Sequence, residues 1–229
     1  MALTYSARMR ATGAMTTALA ALIACSVLAA CGGDDDARTT TASSPPGTVS
    51  GLGPERYRAL ERVYLAERRI DELPDDAPPA EFERASGPFV AACNALDEDD
   101  PLLGPLRRTC PVLTRFTEQL LEVSACARDG LDACGDLLAG VRRTLRDFTR
   151  LSRRSDRAIA DSRLSPACKR ALATPALAYE AIDGFQRAFA LLARGAAAEA
   201  DEALAAADAQ ADRLPSAEAE LERFRSGCG

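Results

Sequence analysis

Residues 176–214 read ALAYEAIDGFQRAFALLARGAAAEADEALAAADAQADRL. Their apolar side chains recur at spacings of four and three: Ala178, Ile182, Phe185, Phe189 and Leu192, then Ala197, Ala200, Leu204, Ala207, Ala211 and Leu214. Such spacing lines up one face of an α-helix. Gly195 stands between the two runs, and glycine ends helices because it takes the left-handed conformation without a Cβ penalty. Two amphipathic helices joined by so short a loop fold back as an antiparallel hairpin. The second stripe is mostly Ala and the first contains Gly184, so the two backbones can approach closely. Pro215 is expected to bend the last helix, with Leu221, Phe224 and Cys228 carrying the stripe onward. The stretch predicts an all-α fold.

The pattern extends upstream. Leu60, Val63, Tyr64, Ile70 and Leu73 predict a helix that opens at Pro54, a favourable first-turn residue, and stops at Pro74. A second helix from Ala80 is expected to break at Ser86-Gly87-Pro88 and resume as far as Leu96. After the acidic run Asp97-Glu98-Asp99-Asp100, Pro101 leads a short helix. Cys110-Pro111 opens a long one with Leu113, Phe116, Leu120, Val123 and Ala127 inward, and residues 128–133 form a turn. Leu138, Val141, Leu145, Phe148 and Ile159 mark a further helix over about 135–163. Ser165-Pro166 and Thr174-Pro175 read as fresh starts. No strand-period alternation of useful length interrupts this series. Residues 54–229 are therefore expected to form one domain, an antiparallel helical bundle of about five to seven helices.

The N-terminal residues are of another kind. Residues 32–53 are Gly, Asp, Thr, Ser and Pro with hardly an apolar side chain, a composition that cannot bury enough surface to order itself. As a coil, a tether of that length spans ~25 Å. Before it, Arg8 and Arg10 precede an apolar run over 18–28 that ends in Leu28-Ala29-Ala30-Cys31-Gly32. A positive flank, a short apolar core and small residues mark a secretory leader. Thr12, Gly13, Thr16 and Thr17 interrupt the core too early for a ~20-residue membrane span.

The run Leu28-Ala29-Ala30-Cys31 resembles the lipobox of bacterial lipoproteins, a resemblance confined to about residues 1–33. It implies that Cys31 takes a diacylglyceryl group, that residues 1–30 are a signal peptide removed by a peptidase, and that Cys31 begins the mature chain. It implies further acyl chains of the palmitate type and a location on the extracytoplasmic face of the cell membrane. Each buried CH₂ contributes ~0.8 kcal/mol, and two chains hold stably where one does not.

In an exported chain an even number of cysteines reads as disulfides. Apart from Cys25 and Cys31 there are six: Cys93, Cys110, Cys126, Cys134, Cys168 and Cys228. They allow about 15 pairings. A sequential scheme suits a bundle. Antiparallel packing brings Cys168 toward Cys228, Cys126 and Cys134 flank one turn, and Cys93 with Cys110 spans the acidic linker. These staples would support a core that is rich in Ala and contains no Trp.

Composition narrows the function. The chain has 28 basic and 34 acidic residues and a net charge of -6. Loss of Arg8 and Arg10 with the leader takes the remainder to -8. That acidity argues against nucleic acid as a partner. With no His in the chain, neither a Ser/His/Asp nor a Cys/His relay exists, and no CxxC pair suggests a metal. Glu118 and Glu122 are an i, i+4 pair, but lie opposite Phe116 and Leu120 and read as solvated. Asp129, Asp132 and Asp136 surround a turn without matching the EF-hand spacing. No catalytic residue, metal ligand or cofactor is expected.

The strongest candidate site is a stripe of Arg142, Arg146, Arg150, Arg153 and Arg157, set away from the apolar side of its helix. An anionic partner would suit it: lipid headgroups, a cell-wall polymer or an acidic protein surface. The alternative is a solvated face crossed by salt bridges to Asp147, Asp156 and Asp161. The expected function is a lipid-anchored extracytoplasmic interaction or scaffold module, with the membrane, an envelope protein or an anionic polymer as partner. The rival is a ligand-binding module with an apolar pocket between helices near Phe116, Phe185 and Phe189.

Overall fold

The structure is a computed structural model, and its described residues are 51–74, 79–126 and 131–229. The expected leader, Cys31, the expected tether as far as position 50, Ala127 and Asp129 lie outside them. Among the described residues every regular element is helical. Seven helices have twelve or more residues: α1 (Pro54–Asp71), α2 (Pro79–Asn94), α4 (Cys110–Cys126), α5 (Gly135–Asp161), α7 (Ala176–Leu192), α8 (Ala197–Ala211) and α9 (Ala217–Cys228). Two short ones, α3 (Leu103–Arg107) and α6 (Pro166–Leu172), and a 3-10 turn at Leu131–Cys134 complete the series. None is long and apolar enough to cross a membrane.

The longest helix, α5, has 27 residues, about 40 Å of rod at 1.5 Å per residue. It packs against α4 and α7, and α3 and α6 lie near it. Its inner face buries Leu138, Val141, Leu145, Phe148 and Ile159 together with the small polar Thr144, Ser152 and Ser155. Thr144 Oγ1 donates to Gln119 Oε1 at 2.7 Å, which ties α5 to α4. The α7–α8 pair is the hairpin expected from its stripes. A Cβ placed on Gly184 would lie 2.9 Å from the Ala207 Cβ, so glycine is what lets α8 in so close. Gly195 has φ +74° and turns the chain between them.

The other end of the bundle is closed by α1, which packs against α2 and α9. Helix α9 also packs on α6. Tyr64 and Phe224 sit at the centre of the α1–α9 contact, ring centroids 4.7 Å apart, and Tyr57 stacks on the same Phe224 at 4.8 Å. Three disulfides staple the body: Cys93–Cys110, Cys126–Cys134 and Cys168–Cys228, with Cα separations of 6.1, 5.9 and 4.5 Å. The first joins the end of α2 to the start of α4, the second closes the turn before α5, and the third ties α6 to the end of α9.

Two proline positions differ from expectation. The chain does not break at Ser86-Gly87-Pro88: α2 runs through Pro88. Both Gly87 and Pro88 are exposed, so water can satisfy the carbonyl that proline leaves without a donor. Ser86 Oγ donates to the Glu83 carbonyl at 3.1 Å. Pro215, conversely, does more than bend a helix. α8 ends at Ala211, and α9 starts afresh with Ser216 as its cap, Oγ accepting from the Ala219 N–H at 3.3 Å. That break frees α9 from the hairpin and lets it pack on α1 and α6.

Candidate interaction site

Helix α5 presents Arg142, Arg146, Arg150, Arg153 and Arg157 on the side away from its buried face, and Arg143 and Arg154 widen the stripe. At about 100° per residue the seven occupy an arc of roughly 120°. Arg142 is half-buried and the other six are exposed. The helix balance is +3, from seven arginines and four aspartates, so the rest of the chain beyond position 30 stands at -11.

Of the four aspartates on this helix, Asp156 is engaged with another element and Asp147 with the arginine face itself. Only Asp147 pairs with one of the seven, accepting from Arg150 at 2.9 Å in an exposed contact. Asp156 faces the other way: Oδ1 accepts from the Thr174 N–H at 2.8 Å and Oδ2 from the Tyr179 hydroxyl at 2.7 Å. It fastens the start of α7 to α5. Burial, then the bond donated to Asp156, pushes the Tyr179 hydroxyl well up. Arg153 lies 5.3 Å over the Tyr179 ring, and Arg157 Nε donates to the Arg153 carbonyl at 3.2 Å. Among the described residues, six of the seven guanidiniums have no carboxylate within 4.0 Å. Among the described residues, Asp147–Arg150 is thus the single carboxylate pair on this face.

A cleft of about 520 Å³ opens at the C-terminal end of α5. It is lined by Ala158, Asp161, Ser162, Arg163 and Leu164, by Pro101 and Leu102, and by Gly51 and Arg56. Arg56 Nε donates to Asp100 at 2.6 Å. Burial works against the Asp100 carboxylate, but the N–H groups of Leu103 and Leu102 and the Arg56 guanidinium outweigh it and hold its pKa down. Phe116, Phe185 and Phe189 do not line this cleft; they are 2%, 0% and 1% exposed and fill the core. Glu118 and Glu122 are exposed on α4. Among the described residues no group of three or more acidic or cysteine side chains is placed to hold a metal ion.

One feature escaped sequence reasoning. Glu67 of α1 and Glu220 of α9 are 0% and 2% exposed, and none of their carboxyl oxygens has a hydrogen-bond partner. The nearest cation, Arg223, reaches only 3.8 Å from Glu220 Oε1. Burial raises the Glu67 carboxyl well above its ordinary value, and Glu220 and Asp71 push the same way. Burial also lifts Glu220, to about 8, against the pull of Arg223. Exposed pairs bracket the seam, Arg68–Glu218 at 2.7 Å and Arg225–Glu61 at 2.9 Å. The clue was present in the pattern: Glu67 falls on the stripe of Leu60, Val63, Tyr64 and Ile70, and Glu220 on that of Leu221 and Phe224.

No protein-family model, curated protein or solved structure matches the chain.

Proposed function

We propose that this chain is a lipid-anchored interaction module of the extracytoplasmic cell surface. Cys31 carries the acyl anchor, and the arginine face of α5 is the working surface. The observation behind this reading is the uncompensated charge of that face: six of seven guanidiniums lack a carboxylate partner among the described residues. Separated like charges on one helix are mildly destabilising, and an anionic partner relieves them. No group in the reading performs catalysis.

Metabolic labelling with a lipid precursor should tag the wild-type chain, and Cys31→Ser should lose both the tag and its membrane fractionation. A photoreactive residue at position 146 should give a reproducible adduct with an anionic envelope component in intact cells. An untagged chain whose fractionation ignores Cys31 would sink the anchor, and no adduct would sink the working surface. The cleft beside Leu102 and Leu164 supports a second reading, a site for a small apolar ligand. A Leu102→Arg chain that still gains thermal stability from the same small molecules as wild type would remove it.

A further inference from the structure

We infer that the arginine face of α5 rests on the anionic phospholipid headgroups of the membrane that holds the anchor, so that the body lies along the bilayer. The inference builds on the anchored reading and names the partner of its surface.

Three observations carry it. The first is placement. Gly51, where the described body begins, lines the same cleft as Ala158, Asp161 and Leu164 at the end of α5. The chain from the anchor therefore reaches the body one turn beyond Arg157. The twenty positions from Cys31 to Gly51 reach at most ~70 Å even fully extended, which bounds how far that end of α5 can stand from the headgroups. The second is charge. Among the described helices α5 has the largest net positive charge, +3, while the remainder of the chain beyond position 30 stands at -11, so an anionic plane attracts this face and repels the rest. The third is shape. The arginines from 142 to 157 cover about 22 Å of a single exposed helix face, and the cleft lies beyond its end. Such a convex surface offers no pocket to read a particular ligand, whereas a headgroup layer requires only charge and area.

The test uses the chain from position 31 with Cys31→Ser, so that no acyl group contributes, after circular dichroism confirms its helical fold. It should sediment with vesicles containing phosphatidylglycerol, fail to sediment with phosphatidylcholine alone, and detach as salt is raised. The triple variant R146E/R150E/R157E leaves Arg153 on Tyr179 and should weaken binding at least about tenfold. A control with the same charge change elsewhere, R58E/R62E/R194E, should lose less than about threefold. Equal losses in both variants would overturn the assignment of the face. So would wild-type binding to phosphatidylcholine alone, or tighter binding to soluble polyglycerol phosphate than to vesicles of equal phosphate content; the latter would assign the face to a polymer. Should either variant misfold, single R146E and R58E chains make the same comparison. Absent vesicle binding beside intact lipid labelling of the native chain removes this inference and leaves the anchor. Vesicle binding beside an unlabelled native chain does the reverse.

Discussion

The α7–α8 hairpin and the α1–α9 seam are both close antiparallel helix contacts, and they are held by different physics. In the hairpin, Gly184 meets Ala207 and the neighbouring Ala and Phe side chains are fully buried. Its stability is chiefly packing, and packing itself ignores pH. In the seam, Tyr64, Phe224 and Leu221 surround two carboxyl groups with no hydrogen-bond partner. Its stability depends on a proton. A helix contact can thus be made tight by removing side chains or by neutralising them, and the second is far more sensitive to pH.

The largest expected effect separates the two contacts by cutting the staple beside the seam. The Cys168–Cys228 bridge spans 60 residues, and losing a loop of that length costs ~4 kcal/mol in the chain-entropy account. The paired variant C168A/C228A should lower the melting temperature by about 10 °C. Hydrogen exchange should speed in α9 before it changes in α7–α8; uniform loss would mean that the two contacts are one cooperative unit.

Next comes the hairpin itself. Gly184→Leu drives a side chain into Ala207, and overpacking of this kind costs ~3 kcal/mol. Chemical denaturation should show the same loss at pH 5 and pH 8.5. A loss that varied with pH would show that packing is not what holds this pair.

The seam should do the opposite. The folded-state value of Glu220, about 8, lies above its ordinary 4.5, so the native state keeps a proton that the unfolded chain releases. The stability from this group is full below 4.5 and falls as pH rises toward 8. Glu220→Gln should therefore leave stability nearly unchanged at pH 4.5 and raise it by on the order of 2 kcal/mol at pH 8.5. A Gln variant that tracks wild type across that range would place the pair in contact with water.

The smallest effect returns to the hairpin. Asp208 of α8 is half-buried, and burial with help from Asp212 raises it to about 6 from 3.8. The sign is the same, with stability lost between those values. Solvent screening should keep the gain from Asp208→Asn below ~1 kcal/mol at pH 7. A gain as large as that of Glu220→Gln would erase the contrast between the two contacts.

Much of this was legible in the chain because it is local. The α7–α8 stripes, the Gly195 turn and the starts at Ser165-Pro166 and Thr174-Pro175 each depend on residues within a turn or two of one another. Pro88 and Pro215 show where local reading stops. The same residue is tolerated in an exposed helix and ends another, according to what lies beyond. The arginine stripe was visible as a period, but whether its aspartates neutralise it was not. Asp156 turns away because Thr174 and Tyr179, from a different element, supply its donors.

From the amino-acid order alone came the helical class, the positions of most turns and the arginine period, since hydrophobic spacing and turn chemistry act over a few residues; which of the possible cysteine pairings forms was decided by packing. Only the tertiary structure decided that Glu67 and Glu220, 153 positions apart, share one dry seam, and that the start of the body lies beside the end of α5. Burial and electrostatic coupling belong to surfaces brought together from distant parts of the chain, and no window along one helix contains both partners.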